Sequence, residues 1–433
     1  MEEKLSKKVS RRTFLKGAAA GMALLGPGVP YIVKRAVAAE EKIGWHAPWP
    51  YELPKAGVNP KYENAKIVKR YDKTNANEIK GMVPDIMIEW LTTPDKWGPF
   101  YMNETEPIKF EPPPGFAAAT EKNFSTGKCK VREDGALLNW EAGTPFKDPK
   151  TGWEVIWNAE KRYHGDDWQH PYVGVITDKN HKVQHWIKGA WRRIYFAGRT
   201  ETDPKPIYPN SEGLELFDSF GYSDPYDMRG LIPLYHRYLA QLKPDDQWMY
   251  IPSMRRTRRM STAQRYDAIG LGFDMCWDDF QNFAGKVMQY NWKLIGRRET
   301  LVPTLCKAKC EWAAGFHLAA PNDNYNRVNA YVIECIPKDP NHIYSKKILW
   351  IDPETWFIPY GEYFDQKGKL WRVWHNHSTY DSKMGYFPAD MAILDVQRMH
   401  SSNCYVFGST GNTNLTPEMF SWEYLKKIYP SEK

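Results

Sequence analysis

From Trp153 onward the apolar positions recur with a period of two, which predicts β structure. Trp186 to Gly198 reads as a strand with Arg192 and Arg193 at its middle. In Val287 to Arg298, Met288, Tyr290, Trp292 and Leu294 alternate with Gln289, Asn291 and Lys293, the pattern of a half-buried strand. Val328 to Ile336 and Lys346 to Asp352 repeat it across a loop containing Pro337, Pro340 and Asn341. Asp352-Pro353-Glu354-Thr355 and Asp365-Gln366-Lys367-Gly368 carry turn chemistry. Strands so spaced, with no helix between them, describe an antiparallel meander.

The flanks read differently. Residues 39–146 give mixed, proline-rich signals, with a loop at Pro112-Pro113-Pro114-Gly115 and a short apolar segment from Ile86 to Leu91. Near the end, Met391 to His400 has helical apolar spacing. Thr416-Pro417-Glu418 then combines an N-cap, a first-turn proline and an acid, after which Phe420, Tyr424 and Ile428 share one helix face. The expected fold class is mainly β (α+β): a curved antiparallel sheet over about 146–380, covered by helices, with a C-terminal helical segment over 381–433.

The first residues predict an address. Ser10-Arg11-Arg12-Thr13-Phe14-Leu15-Lys16 has the paired arginines, following aromatic and lysine of a twin-arginine export signal. A weakly apolar stretch from Gly17 to Val33, Lys34-Arg35 and the small-x-small triplet Ala36-Val37-Ala38 complete a signal peptide over 1–38. Pro27 and Pro30 interrupt the stretch, which falls short of the ~20 apolar residues of a membrane span. The first cysteine is Cys129, too late for a lipid anchor. The expected mature chain, one elaborated domain over 39–433, is free in the periplasm, with the twin-arginine translocase as its export partner.

Charge and composition narrow the partners. Residues 1–38 hold eight basic and two acidic side chains, so a chain of net +7 is left at about +1 after cleavage. Near-neutral charge and an export signal argue against nucleic acid. Aromatic residues make up 15% of the chain, with 19 Trp and 26 Tyr, a supply of amphipathic rings suited to apolar clefts and interfaces as well as to large sheets.

Candidate chemistry is sparse. Pro252-Ser253 is expected to turn the chain into a strand whose two faces carry Arg255/Thr257/Arg259 and Arg256/Arg258/Met260. One covered face would demand a partner, either internal (Asp274, Asp278 or Asp279) or the anionic head group of a ligand. His375-Asn376-His377 places two imidazoles on one side of a strand, with His400 as a further ligand candidate, against the alternative of a solvated edge. Cys306 and Cys310 are spaced for a bridge if that segment is helical, or remain free thiols. No motif for haem, zinc protease, iron–sulfur cluster or activated serine is present, and the adjacent acids Asp166-Asp167 and Asp278-Asp279 would point apart in a strand. The reading is therefore no catalytic residues, no metal ligands and no cofactor.

Gly152-Trp153-Glu154-Val155-Ile156-Trp157-Asn158, Trp248 to Arg259, Asp278-Asp279, Tyr290 to Gly296 and Tyr344-Ser345-Lys346-Lys347 carry a resemblance to domain-of-unknown-function family 1329, as do Trp350-Ile351-Asp352, Tyr363-Phe364-Asp365 and Leu370-Trp371-Arg372. It covers about Trp90 to Leu425. The resemblance implies an outer-membrane-lipoprotein-sorting-like, lipoprotein-carrier-like open half barrel with helices over an apolar cavity, and the twin-arginine signal departs from the more usual general secretory one. The expected function is a noncatalytic carrier of lipids or other hydrophobic molecules, served by an inner-membrane exporter. The alternative is a cofactor- or metal-bearing redox protein exported folded. Expected ligand contacts are Trp248, Tyr250, Arg256, Arg258, Tyr290, Trp292, Trp350, Trp371 and Trp374.

Overall fold

The computed structural model describes residues 60–429 except 262–264, 266–268, 270–271, 309–316, 319 and 382–388. The expected signal peptide and Cys310 lie outside the described residues, which belong to one compact unit. The strands are β1 (Ile67–Tyr71), β2 (Tyr101–Thr105), β3 (Lys130–Val131), β4 (Leu137–Leu138), β5 (Asp167–Thr177) and β6 (Val183–Tyr195). They continue with β7 (Leu214–Asp224), β8 (Ile232–Tyr238), β9 (Asp246–Ile251), β10 (Arg256–Arg259), β11 (Tyr290–Val302) and β12 (Asn322–Pro337). The last are β13 (Lys346–Ile351), β14 (Tyr360–Phe364), β15 (Leu370–Ser378), β16 (Ala389–Asp395), β17 (His400–Val406) and β18 (Thr410–Gly411).

Sixteen of them form one sheet in the order β1-β2-β12-β13-β14-β15-β16-β17-β5-β6-β7-β8-β9-β10, with β11 on β12 and β18 on β5. Two meanders, β11 to β17 and β5 to β10, join where β17 pairs with β5. All pairings are antiparallel except β2 with β12, and the path does not close on itself, which makes an open half barrel. The inner face carries a continuous cluster, from Tyr290 and Trp292 through Ile333, Leu349, Tyr363, Trp374 and Ile393 to Trp168, Trp191, Phe220 and Tyr235. Val155, Ile156, Trp277, Phe280 and Phe283 pack into it from the helix Gly152–Glu160 and the 273–289 segment. A second cluster, including Ile194, Leu234 and Ile232, meets Phe420 and Leu425 of the C-terminal segment.

Alternation carried the sheet, and four local expectations are corrected. Gly152–Glu160 is a helix because Thr151 Oγ1 accepts from Glu154 N while the Glu154 carboxylate accepts from Thr151 N. The alternation of Trp153, Val155 and Trp157 is compatible with either period there, and the capping box decides. Pro114, expected in a loop, opens the helix Pro114–Thr126, where its missing N–H costs nothing. Met391 to His400 is two strands joined by a turn rather than a helix: Met391, Ala392, Ile393 and Leu394 are all buried, and a strand covered on both faces loses its alternation. Residues 381–433 are thus not a helical segment. Finally, Thr416 makes no side-chain cap; Ser421 caps the helix Trp422–Ile428, whose buried residue is Leu425.

Candidate ligand-binding cleft

The inner face is not filled uniformly. A narrow cleft of about 50 Å³, open to solvent at its mouth, lies where β6, β7 and β8 meet the end of the Gly152–Glu160 helix and the 280–284 segment. Trp191, Arg193 and Tyr195 of β6, Leu216 of β7 and Arg237 of β8 line one side, and Phe280, Gln281, Phe283 and Ala284 another. The strand alternation puts Arg193 here and sends Arg192 to the opposite face, where its guanidinium lies 5.4 Å from the Tyr424 ring.

The cleft's charges are nearly all neutralised internally. Lys161 pairs with Glu215, Arg193 with Asp218 at 2.5 Å, and Arg237 with Asp245 at 3.1 Å. Arg265 bonds Asp278 and lies 3.4 Å from Asp245, which Lys286 also reaches at 3.0 Å. Burial opposes the charge of Asp245, but Arg237, Arg265 and Lys286 outweigh it and hold its carboxyl below the usual range. Asp166, also at the cleft, spends its carboxylate on the N–H groups of Thr200, Glu201 and Thr202. Arg162 has no carboxylate partner: Nη1 donates to Ala159 O and Nη2 to Gln281 Oε1, both at 2.6 Å, and Nε has no acceptor. His164 stacks on Tyr195 with ring centres 4.0 Å apart; burial, then Arg162, hold its basicity far below normal, so it is neutral.

Beyond the charged region the walls turn apolar. Trp191, Phe220 and Phe280 lie 4.9–5.2 Å apart, centre to centre, and line both the cleft's inner branch, with Tyr235 and Trp277, and a further recess. That recess is bounded by Tyr172, Tyr222, Phe273, Met275, Met391 and Cys404. His170 contributes the one imidazole, kept neutral by burial, which pushes its pKa down to about 3. Beside the cleft, Gln281 has φ 52° and the following Asn282 φ 74°, left-handed backbone that side chains adopt at a cost.

None of the nine residues expected to contact ligand lines this cleft. Tyr290 and Trp292 pack on Phe283 at 5.3 and 5.0 Å inside the core, and Trp292 Nε1 donates to Val287 O. Trp374 is fully buried, Trp350 bonds Glu362, and Trp371 bonds Asp395. Trp248 and Tyr250 pack beside the C-terminal segment. All four residues of β10, an edge strand, are exposed, so neither face is covered and Arg256 and Arg258 require no buried partner. Asp274, Asp278 and Asp279 instead pair with His400, Arg265 and Lys347.

The histidine reading also changes. His375 and His377 are fully buried rather than on a solvated edge, and His400 is engaged elsewhere, by Asp274. His377 Nδ1 lies 3.0 Å from Asp323, and with Cys306 these residues place three potential ligand atoms within 4.8 Å of one another. Asp323 is already engaged by the N–H groups of Lys307, Ala308 and Asn324, so the cluster also serves as a hydrogen-bonded knot. The five described cysteines are free. No described helix is long and apolar enough to cross a membrane.

The chain is similar to several known proteins. An uncharacterized Pseudomonas aeruginosa protein, PA3922, is 28% identical over 294 residues, covering 64% of this chain and 62% of that relative's length. A Vibrio parahaemolyticus domain described as an outer membrane lipoprotein-sorting protein superposes with a TM-score of 0.47 at 18% identity over 64% of this chain and 98% of its own. A Desulfovibrio piger DUF1329 protein gives 0.47 at 16% identity over 63% and 97%, and the LolA superfamily protein NE2245 of Nitrosomonas europaea gives 0.41 at 15% over 64% and 100%. The model of one family, described as proteins of unknown function (DUF1329), matches residues 72–425, and the chain belongs to that family.

Proposed function

We propose that this protein is a noncatalytic periplasmic carrier or acceptor for lipids or other hydrophobic molecules. The observation that supports the reading is the adjacency of three openings in the inner face: the cleft, its inner branch and the apolar recess all share Trp191 and Phe280 as walls. An open half barrel offers an apolar chain a route from solvent into this trough, and each methylene buried there contributes about 0.8 kcal/mol. Apart from Arg162, the cationic groups in the cleft are matched to carboxylates, an arrangement that favours fixed walls over proton transfer. The twin-arginine motif at Arg11-Arg12 supports delivery to the periplasm by the twin-arginine translocase, where an inner-membrane exporter would supply cargo. Protein isolated from its own cell envelope should release apolar molecules into organic solvent, detectable by mass spectrometry. Native protein with no extractable molecule and no affinity for a fluorescent fatty acid would overturn the reading. One feature, the buried Cys306, Asp323 and His377 set, favours the redox alternative; stoichiometric metal in the same sample would promote it.

A further inference from the structure

We infer that the ligand is an anionic amphiphile and that Arg162 holds its head group, with the apolar chain running past Trp191, Phe220 and Phe280. This rests on the carrier reading and specifies what is carried.

Arg162 is only 8% exposed, and burial disfavours its charge before any other influence. Every other cation lining the cleft has a carboxylate within 4 Å: Lys161, Arg193, Arg237 and Arg265 all meet this condition. Arg162 lies 4.7 Å from the Phe357 ring centre and has two neutral acceptors for its five N–H donors, Ala159 O and Gln281 Oε1, with Nε–H left without one. A guanidinium so placed is complementary to a carboxylate or phosphate oxygen pair. The Gln281 amide that orients it sits on left-handed backbone, and such strain gathers where a side chain must be held for a ligand.

The second observation is polarity along the trough. The cleft that Arg162 lines mixes charged groups with aromatic rings such as Trp191, Phe280 and Phe283, whereas the recess beyond Trp191 holds no charged side chain and is bounded by Tyr172, Tyr222, Phe273, Met275 and Met391. A molecule with one charged end and one apolar chain matches both ends at once. The exposed Arg256 and Arg258 belong to β10 and line neither region.

The competing role is structural, since Arg162 bonds a carbonyl near the end of the Gly152–Glu160 helix. Titrating the delipidated full chain with dodecanoate, methyl dodecanoate and acetate, read by tryptophan quenching, separates the two. The wild type is expected to prefer dodecanoate over its ester by about tenfold and to ignore acetate, a charge-assisted hydrogen bond being of that size. Arg162→Gln should lose the preference yet still bind the ester, while the double variant Arg256→Gln/Arg258→Gln should keep it. Equal binding of acid and ester by the wild type overturns the inference and leaves the carrier reading standing, and so does a preference that survives Arg162→Gln or vanishes in the double variant. Binding of neither long-chain compound overturns both. Should Arg162→Gln not fold, the wild-type acid–ester comparison and the double variant still decide the matter.

Discussion

Lys347 Nζ lies 2.8 Å from Asp279 Oδ1, and both side chains are fully shielded from solvent. Tyr344 donates to the other carboxylate oxygen at 2.7 Å, and Arg372 donates to the Tyr344 hydroxyl. Sheet and covering segment are thereby tied across the core, because Lys347 sits on β13 and Asp279 in the segment that supplies Phe280. Burial works against ionisation of Asp279, but Lys347 and Arg372 prevail and keep its carboxyl below the usual range. A depressed carboxylate stabilises above its unfolded-state range and loses that contribution as pH falls. Lys347→Met should strand the charge and cost about 3–5 kcal/mol, and Lys347→Met/Asp279→Asn should recover part of it. Urea melts of the three proteins check this; a double variant no more stable than the single would show the pair is not coupled.

His400 gives a pH signature of opposite sign. Its Nδ1 lies 2.7 Å from Asp274 Oδ2, and that hydrogen bond raises its pKa above 6.5. The stabilisation is complete below the unfolded-state pKa and is lost as pH rises through the higher folded value. The melting temperature should therefore decline on going from about pH 6 to 8, and His400→Gln should flatten that decline. An identical slope in wild type and variant would remove His400 from the account.

Gly361 leaves room for the Asn282 side chain. A Cβ added there would lie 2.2 Å from Asn282 Oδ1, and Asn282 is otherwise pinned by Nδ2–H to Ile358 O and by the Tyr363 hydroxyl on its carbonyl. Gly361→Ala should destabilise by about 1–3 kcal/mol and, by displacing the neighbour Gln281, weaken ligand binding. Gly174→Ala, whose Cβ would meet nothing closer than 3.5 Å, is the control. Equal effects of the two would contradict the stated crowding.

Much of the sheet was legible because strands with one solvated face keep their alternation; β11 shows it in buried Tyr290 and Trp292 against exposed Asn291 and Lys293. The signal vanished where both faces are covered, as in Met391 to Leu394, and was ambiguous at Gly152–Glu160, where the cap was decisive. The candidate cleft was not legible. Trp191, Phe220 and Phe280 come from three separate segments and meet through strand register and the fold of the covering segment, which no local pattern encodes. The arginines at 255–259 belong to a strand edge, where charges deter pairing with other chains, while Arg162 lies in an ordinary charged run, Glu160-Lys161-Arg162, that carries no local sign of a site.

The proposed export signal centres on Arg11 and Arg12, outside the described residues. Arg11→Lys/Arg12→Lys should retain the precursor in the cytoplasm, since the pair is read as arginines and not merely as positive charge. Cell fractionation with immunoblotting measures this, and normal periplasmic levels of the double variant would contradict twin-arginine export.

The central claim is that an apolar chain occupies the trough beside Trp191, Phe220 and Phe280. Photolabelling of the full chain with a fatty acid bearing a diazirine in its chain, followed by peptide mass spectrometry, locates that chain directly. Labels are expected on the segments containing Trp191, Phe220 and Phe280, suppressed by excess unlabelled fatty acid. Absence of competable labelling, or labelling confined to the β9–β10 hairpin around Trp248 and Arg256, would contradict it.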